Sequence, residues 1–147
     1  MKRRIKSVFD AMDDIQGVII AAGIPSLITG ELRTFQRRAG STKEDIVTNS
    51  LIYDAEQKQG GIFNINVHVP NLKNQTAENP TAKDNTQPDV ARMRTIGNAI
   101  VAAVDDHHGF DFSLYLRNPG ELEGSGSGTD WFYNIQVNYS FLRADIT

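Results

Sequence analysis

The sequence predicts an α+β domain: a two-layer sandwich in which one mainly antiparallel sheet is covered on one face by two helices. Three observations carry this reading. Two segments repeat apolar residues every three to four positions, as a helix with one buried face requires. Five others alternate apolar and polar residues, as half-buried strands do. Those strands are polar on one side, unlike the doubly apolar strands of a parallel α/β sheet. The 147 residues suit a single domain, 1–147, with a core that needs no cross-links. The predicted element order is α-β-β-β-α-β-β.

The first helix is expected over 2–22. Ile5, Val8, Phe9, Met12, Ile15 and Ile19 share one face, and Gly23 followed by Pro25 is a stop signal. The period then changes to two. A short strand is expected over 31–37 and a longer one over 45–53. In the longer strand Val47, Asn49, Leu51 and Tyr53 take one side, and Ile46, Thr48, Ser50 and Ile52 the other. Gly60 and Gly61 turn the chain into IFNINVHV, where Phe63, Ile65, Val67 and Val69 oppose Asn64, Asn66 and His68. Pro70 ends that strand because it cannot donate to a ladder.

Residues 71–87 read as a long polar loop, functional or unstructured by its length. A second helix is expected from Pro88, with Val90, Met93, Gly97, Ile100, Val101 and Val104 on its apolar face and Gly109 as its stop. Phe110, Phe112, Leu114 and Leu116 then alternate with Asp111, Ser113, Tyr115 and Arg117. The final strand, 131–141, carries the longest alternation and reads as central. Between these two strands, 118–129 is rich in Gly and Ser and reads as a mobile hairpin connection. The segments 71–87 and 120–128 are expected to be the most mobile internal parts of a free subunit. The inward set should include Phe63, Ile65, Val67, Phe112, Leu114, Ile135, Val137 and Tyr139, packed on Phe9, Met12, Met93, Ile100 and Val104.

Composition excludes several function classes. There is no cysteine, so disulfides, cysteine zinc sites and thiol catalysis are out. A net charge of −3 gives whole-protein charge no role in holding nucleic acid. The basic start MKRRIK is interrupted by Asp10, Asp13 and Asp14 rather than followed by an apolar run, so neither a signal peptide nor a membrane span is expected. No phosphate loop, dinucleotide fingerprint, nucleophile elbow or HExxH occurs. Asp105, Asp106, His107 and His108 are metal- and proton-handling types. Four consecutive positions at a helix end point in different directions, however, so a solvated turn is the expectation. His68 lies among asparagines with no nominated acid or nucleophile. No catalytic residue, cofactor or metal is therefore assigned.

Charge is unevenly placed. Lys2, Arg3, Arg4 and Lys6, then Arg33, Arg37, Arg38 and Lys43, are basic. Asp105, Asp106, Asp111, Glu121, Glu123 and Asp130 are acidic. Such patches can meet across a subunit contact. The candidate contact residues are Arg37, Arg38, Lys43, Asp111, Glu121 and Glu123, and reversing Arg37 and Arg38 to Glu is expected to weaken such a contact with the fold intact.

The sequence resembles bacteriophage tail-terminator, or tail-completion, proteins. The resemblance lies in the element order and in GIPSLITGELRTFQRR, EDIVTNSLIYD and IFNINVHVPNL, the last leading from a sheet strand into a long polar loop. It implies a non-enzymatic subunit of a homo-oligomeric ring, commonly of six copies, that caps a tail tube and faces the head–tail connector. Such a protein is cytoplasmic during assembly and then part of the virion. The alternatives are a small ferredoxin-like ligand-binding or enzymatic domain, and another head–tail joining or neck protein.

Overall fold

Ser7 starts the first helix. Its hydroxyl accepts from the Asp10 amide and the Asp10 carboxylate accepts from the Ser7 amide, a reciprocal cap that satisfies two otherwise orphaned donors. Helix α1 therefore spans Val8–Ala21, six residues shorter at its start than the periodicity predicts, and Lys6 lies outside it. Gly23, at φ +75°, leads into a 3-10 turn, Ile24–Ser26. The remaining elements are β1 (Leu32–Thr34), β2 (Asp45–Asp54), β3 (Lys58–His68), α2 (Val90–Val104), β4 (His107–His108), β5 (Phe112–Gly124) and β6 (Trp131–Leu142). This computed structural model describes residues 5–54, 58–72, 86–124 and 130–142. No helix among them is long and apolar enough to cross a membrane.

The expected two-layer sandwich is corrected. The six strands form one mixed sheet in the order β1-β2-β3-β6-β5-β4, curled into a half-barrel. Strand outweighs helix, 42% against 28%, among the described residues, so the curled sheet rather than a pair of covering helices makes the architecture. The sheet is mixed because β1 runs parallel to β2, with Leu32 opposite Ile46 and Thr34 opposite Thr48. The other pairings are antiparallel. The additional strand is β4, hidden in the polar tract Asp105–His108. α2 ends at Val104, well before Gly109, and Asp106 at φ +50° turns the chain into β4.

Bulges bend the sheet. Ser50 pairs with Phe63 and Ile52 with Ile62, leaving Leu51 as an extra residue. An extra residue raises the local twist and changes which side of the strand faces in. Ile46 thus faces the core before the bulge, whereas Tyr53 packs on it afterwards. The two continuous faces expected for 45–53 do not exist. β5 shows register shifts around Asn118. They absorb Pro119 and Gly120, so 118–124, expected as a mobile connection, is paired strand. The remainder of that connection, 125–129, lies outside the described residues, as does 73–85 of the other long loop. The described ends of that loop are tied: the Leu72 amide donates to the Gln87 carbonyl at 2.9 Å, and Trp131 Nε1 donates to the Thr86 carbonyl at 2.7 Å.

The core joins Met12, Ile15 and Ile19 of α1 and Met93, Ile96 and Ile100 of α2 to Phe63, Ile65, Val67, Ile135, Val137 and Tyr139 of the central strands. Truncating such a buried Ile to Ala costs about 2–5 kcal/mol. One expected core residue lies elsewhere. Phe9 is 62% exposed and turns its ring edge to Phe35, 5.8 Å away. Phe110 is fully exposed, because β5 begins two residues after it.

Candidate functional site at the two ends of the sheet

Two adjacent carboxylates at the start of β2 organise the β1 end. Glu44 accepts from Arg92 Nε at 2.5 Å and from Arg92 Nη2 at 3.0 Å, and also from the Thr29 amide. Arg92 in turn reaches the Leu27 carbonyl, so one side chain of α2 locks the segment before β1. The bidentate Arg92 bond, opposed by burial, holds the Glu44 carboxyl below its ordinary range, and the same pairing raises Arg92. Asp45 accepts from the Glu31 amide (2.9 Å), Arg37 Nε (2.7 Å) and Ser41 Oγ (2.5 Å). Burial pushes its carboxyl up, but the bonds from Ser41, Arg37 and Glu31 outweigh burial and lower it. Gly30 passes so close that a Cβ there would strike the Asp45 carboxylate.

The loop 35–43 is thereby fixed against β2. Phe35 sits at φ +65°, a conformation costly for a bulky residue, and projects its ring outward, 46% exposed. Arg38 bonds Glu31 at 2.6 Å and Arg33 bonds the same carboxylate at 3.2 Å. Two guanidinium groups thus share one acid, leaving this end cationic. Lys43 adds an exposed ammonium.

The β4–β5 end is set by a buried lysine. Lys6, 2% exposed, places its ammonium 2.5 Å from Asp14 and 2.9 Å from Asp111. It also lies over the Phe141 ring at 4.5 Å. Tyr139 donates to Asp14 at 2.6 Å and Tyr53 to the Lys6 carbonyl at 3.0 Å. Burial, followed by Asp14, raises the Tyr139 phenol strongly. Burial, followed by Asp10 and other acids, raises Tyr53 to about 12. Beyond this anchor Phe110, Tyr115 and Leu122 are exposed, beside Asp105, Asp106, Glu121 and the half-exposed Glu123. A cleft of about 690 Å³ lies among His108, Phe110, Phe112 and Tyr115. One of about 440 Å³ lies at the opposite end, among Glu31, Arg38, Lys43 and Asp45.

The structure brings Arg37, Arg38 and Lys43 together beside β1 and spreads Asp111, Glu121 and Glu123 along the β5 side. Among the described residues no ion pair joins the two sets. Three of the six are paired internally: Arg37 clamps Asp45, Arg38 bonds Glu31 and Asp111 holds Lys6. Reversing Arg37 would place a carboxylate against buried Asp45, so that substitution is not neutral to the fold. The apolar members, Phe9, Phe35, Leu51, Ile52, Phe110, Tyr115 and Leu122, were not nominated from sequence. One signal was available: Leu51 and Ile52 are consecutive in a strand and cannot both point inward.

The side of the strands away from the core carries amides. Asn64 donates to Asn49 at 2.8 Å and accepts from Asn134 at 3.1 Å and Gln136 at 3.0 Å, while Asn134 also donates to Asn66 at 2.7 Å. These amides bond one another and offer no titrating group. His68, at their edge, is pushed to about 4, chiefly by burial and then by Arg37, against Asp45 and Asp130, so it is neutral at pH 7. His108 stands 3.0 Å from Asp106 and 3.3 Å from Ser113. The imidazole is 59% and the carboxylate 71% exposed. Water therefore surrounds this string, without the shielded, preorganised setting that acyl transfer needs. Among the described residues no three His, Cys, Asp or Glu side chains converge on a metal position. No family model and no curated protein matches the chain.

Proposed function

We propose that the chain is a non-enzymatic structural subunit that joins copies of itself end to end, of the tail-terminator or tail-completion type. The ring it forms would cap a tail tube and offer its other side to the head–tail connector. The observation that supports this reading is the unlike character of the two sheet ends. One end is cationic, with Phe9, Phe35, Leu51 and Ile52 exposed. The other is acidic, with Phe110, Tyr115 and Leu122 exposed. Cyclic assembly requires such a pair of different, complementary surfaces on each subunit. Apolar contact would supply the affinity, and opposite charge the register.

The test is complementation. Added to a lysate of a terminator-deficient phage, the protein should convert uncapped tails into tails that join heads and give infectious particles. Tails that stay uncapped or overlong with the protein present would reject the terminator assignment.

A further inference from the structure

We propose that a second copy of this chain completes the sheet, its β1 lying antiparallel against the open outer edge of β5, with Arg33 of one copy opposite Glu121 of the other. The proposal deepens the assembling-subunit reading and rests on it.

The outer edge of β5 is long and largely unpaired. β4 covers Ser113 and Leu114. Among the described residues no strand pairs with the outer side of 115–124. Open edges of this kind accept further strands. At the other end of the sheet β1 covers Ile46, Val47 and Thr48, and among the described residues no strand pairs with the outer side of β1.

Strand direction allows the two edges to meet. β2, β3, β6 and β5 alternate in direction, so β5 runs opposite to β2 and to β1, its parallel neighbour. A copy placed beside β5 by head-to-tail repetition therefore presents β1 antiparallel to it.

The edges also have complementary steps. Ser113 and Leu114 lie level, through β6 and β3, with Asp54 and Tyr53. β4 thus projects at a level that β1 does not reach. β1 projects at the level of Val47, which traces through Asn66 and Asn134 to Glu121, where β5 is bare. Interlocked, β1 of one copy and β4 of the other lie end to end in one strand position and run the same way.

The unstaggered register sets Arg33 against Glu121, since both lie on the Val47 level. Opposite charges directly across strands are favourable. Arg33 and Arg38 share Glu31, so that end has a cation to spare. Glu121 meets no cation among the described residues; its partner is the Asn118 amide at 3.4 Å. Ile52 and Tyr115, exposed and level with each other through Ile62 and Asn138, flank the gap between β1 and β4.

The chain has no cysteine, so engineered disulfides report this contact cleanly. Arg33→Cys and Glu121→Cys proteins are mixed at millimolar concentration in a glutathione buffer. The mixed disulfide dimer should exceed that of a control pair, Asp13→Cys with Glu121→Cys, by at least about tenfold, equivalent to about 1.4 kcal/mol of contact free energy. Neither variant alone should dimerise comparably. A mixed dimer no more abundant than the control overturns the contact. So does predominant self-dimerisation of Glu121→Cys, which would mean two β5 edges pairing about a two-fold axis. A positive cross-link with failed tail complementation would leave the contact standing and remove the terminator assignment.

Discussion

Replacing Lys6 with Met tests the buried charge cluster that anchors the β4–β5 end. Met keeps most of the aliphatic volume, so little cavity forms and the change isolates the charge. The ammonium sits 2.5 Å from Asp14 and 2.9 Å from Asp111, under the rings of Phe141 and Phe112. Removing one partner of a buried pair costs about 3–5 kcal/mol, because the other charge is stranded. The stranded acids keep some water here: Asp14 is 19% and Asp111 36% exposed. That places the expected loss at the lower end, about 3 kcal/mol. For a chain of this size each kcal/mol lowers the melting temperature by roughly 2–4 °C, so the fall should be roughly 6–12 °C. Circular dichroism melts at pH 7 measure it. Asp14→Asn added to Lys6→Met removes the stranded charge and should recover part of the loss, giving non-additive double-mutant energetics. A Lys6→Met protein melting within about 2 °C of wild type would show that the cluster does not anchor this end, since about one kcal/mol would then be an upper bound.

Acid should unfold the β1 end first. The Glu44 and Asp45 carboxyls are lowered from 4.5 and 3.8, so the stability they contribute is complete above those values and is lost as pH falls through the lower folded values. Urea titrations from pH 6 to pH 2 should show that decline, and Glu44→Gln with Asp45→Asn should flatten it; equal slopes would contradict it. Gly97→Ala, normally stabilising in a helix by about 1 kcal/mol, should instead destabilise. The added Cβ meets the Tyr133 ring at 2.5 Å, and Gly120 confines the same ring; a raised melting temperature would show that the ring moves freely. Phe110→Ser should leave the melting temperature unchanged, within about 0.5 kcal/mol, because the ring is fully exposed. A large fall would place that ring in the core.

The parts of the fold legible in the sequence are those where one periodicity runs without interruption. Phe63, Ile65 and Val67, and Ile135, Val137 and Tyr139, alternate with polar residues and are buried. The interruptions were not legible. A bulge at Leu51 leaves no compositional mark, yet it exchanges the faces of β2. Pro119 and Gly120 read as loop, but two register shifts keep them in strand. β1 is three residues long and parallel, a pairing set by the clamp of Asp45 on 31–41 rather than by pattern. For the candidate site, segregated charge was visible along the chain. Which charges are consumed internally was not, because Lys6 and Asp111 are 105 positions apart, and Ser7 rather than Lys2 opens the helix. Alternation also placed Phe110 on the strand face of Phe112, although the strand begins beyond it.

The proposed ring, closed through unlike sheet ends and capping a tube, can be seen directly. The most direct measurement is electron microscopy of uncapped tails from a terminator-deficient lysate, incubated with the purified protein and averaged in end-on view. Added density is expected at one end of each tube, with rotational symmetry and subunits in head-to-tail contact. Bare tube ends at saturating protein, or density built from two-fold pairs, would contradict it.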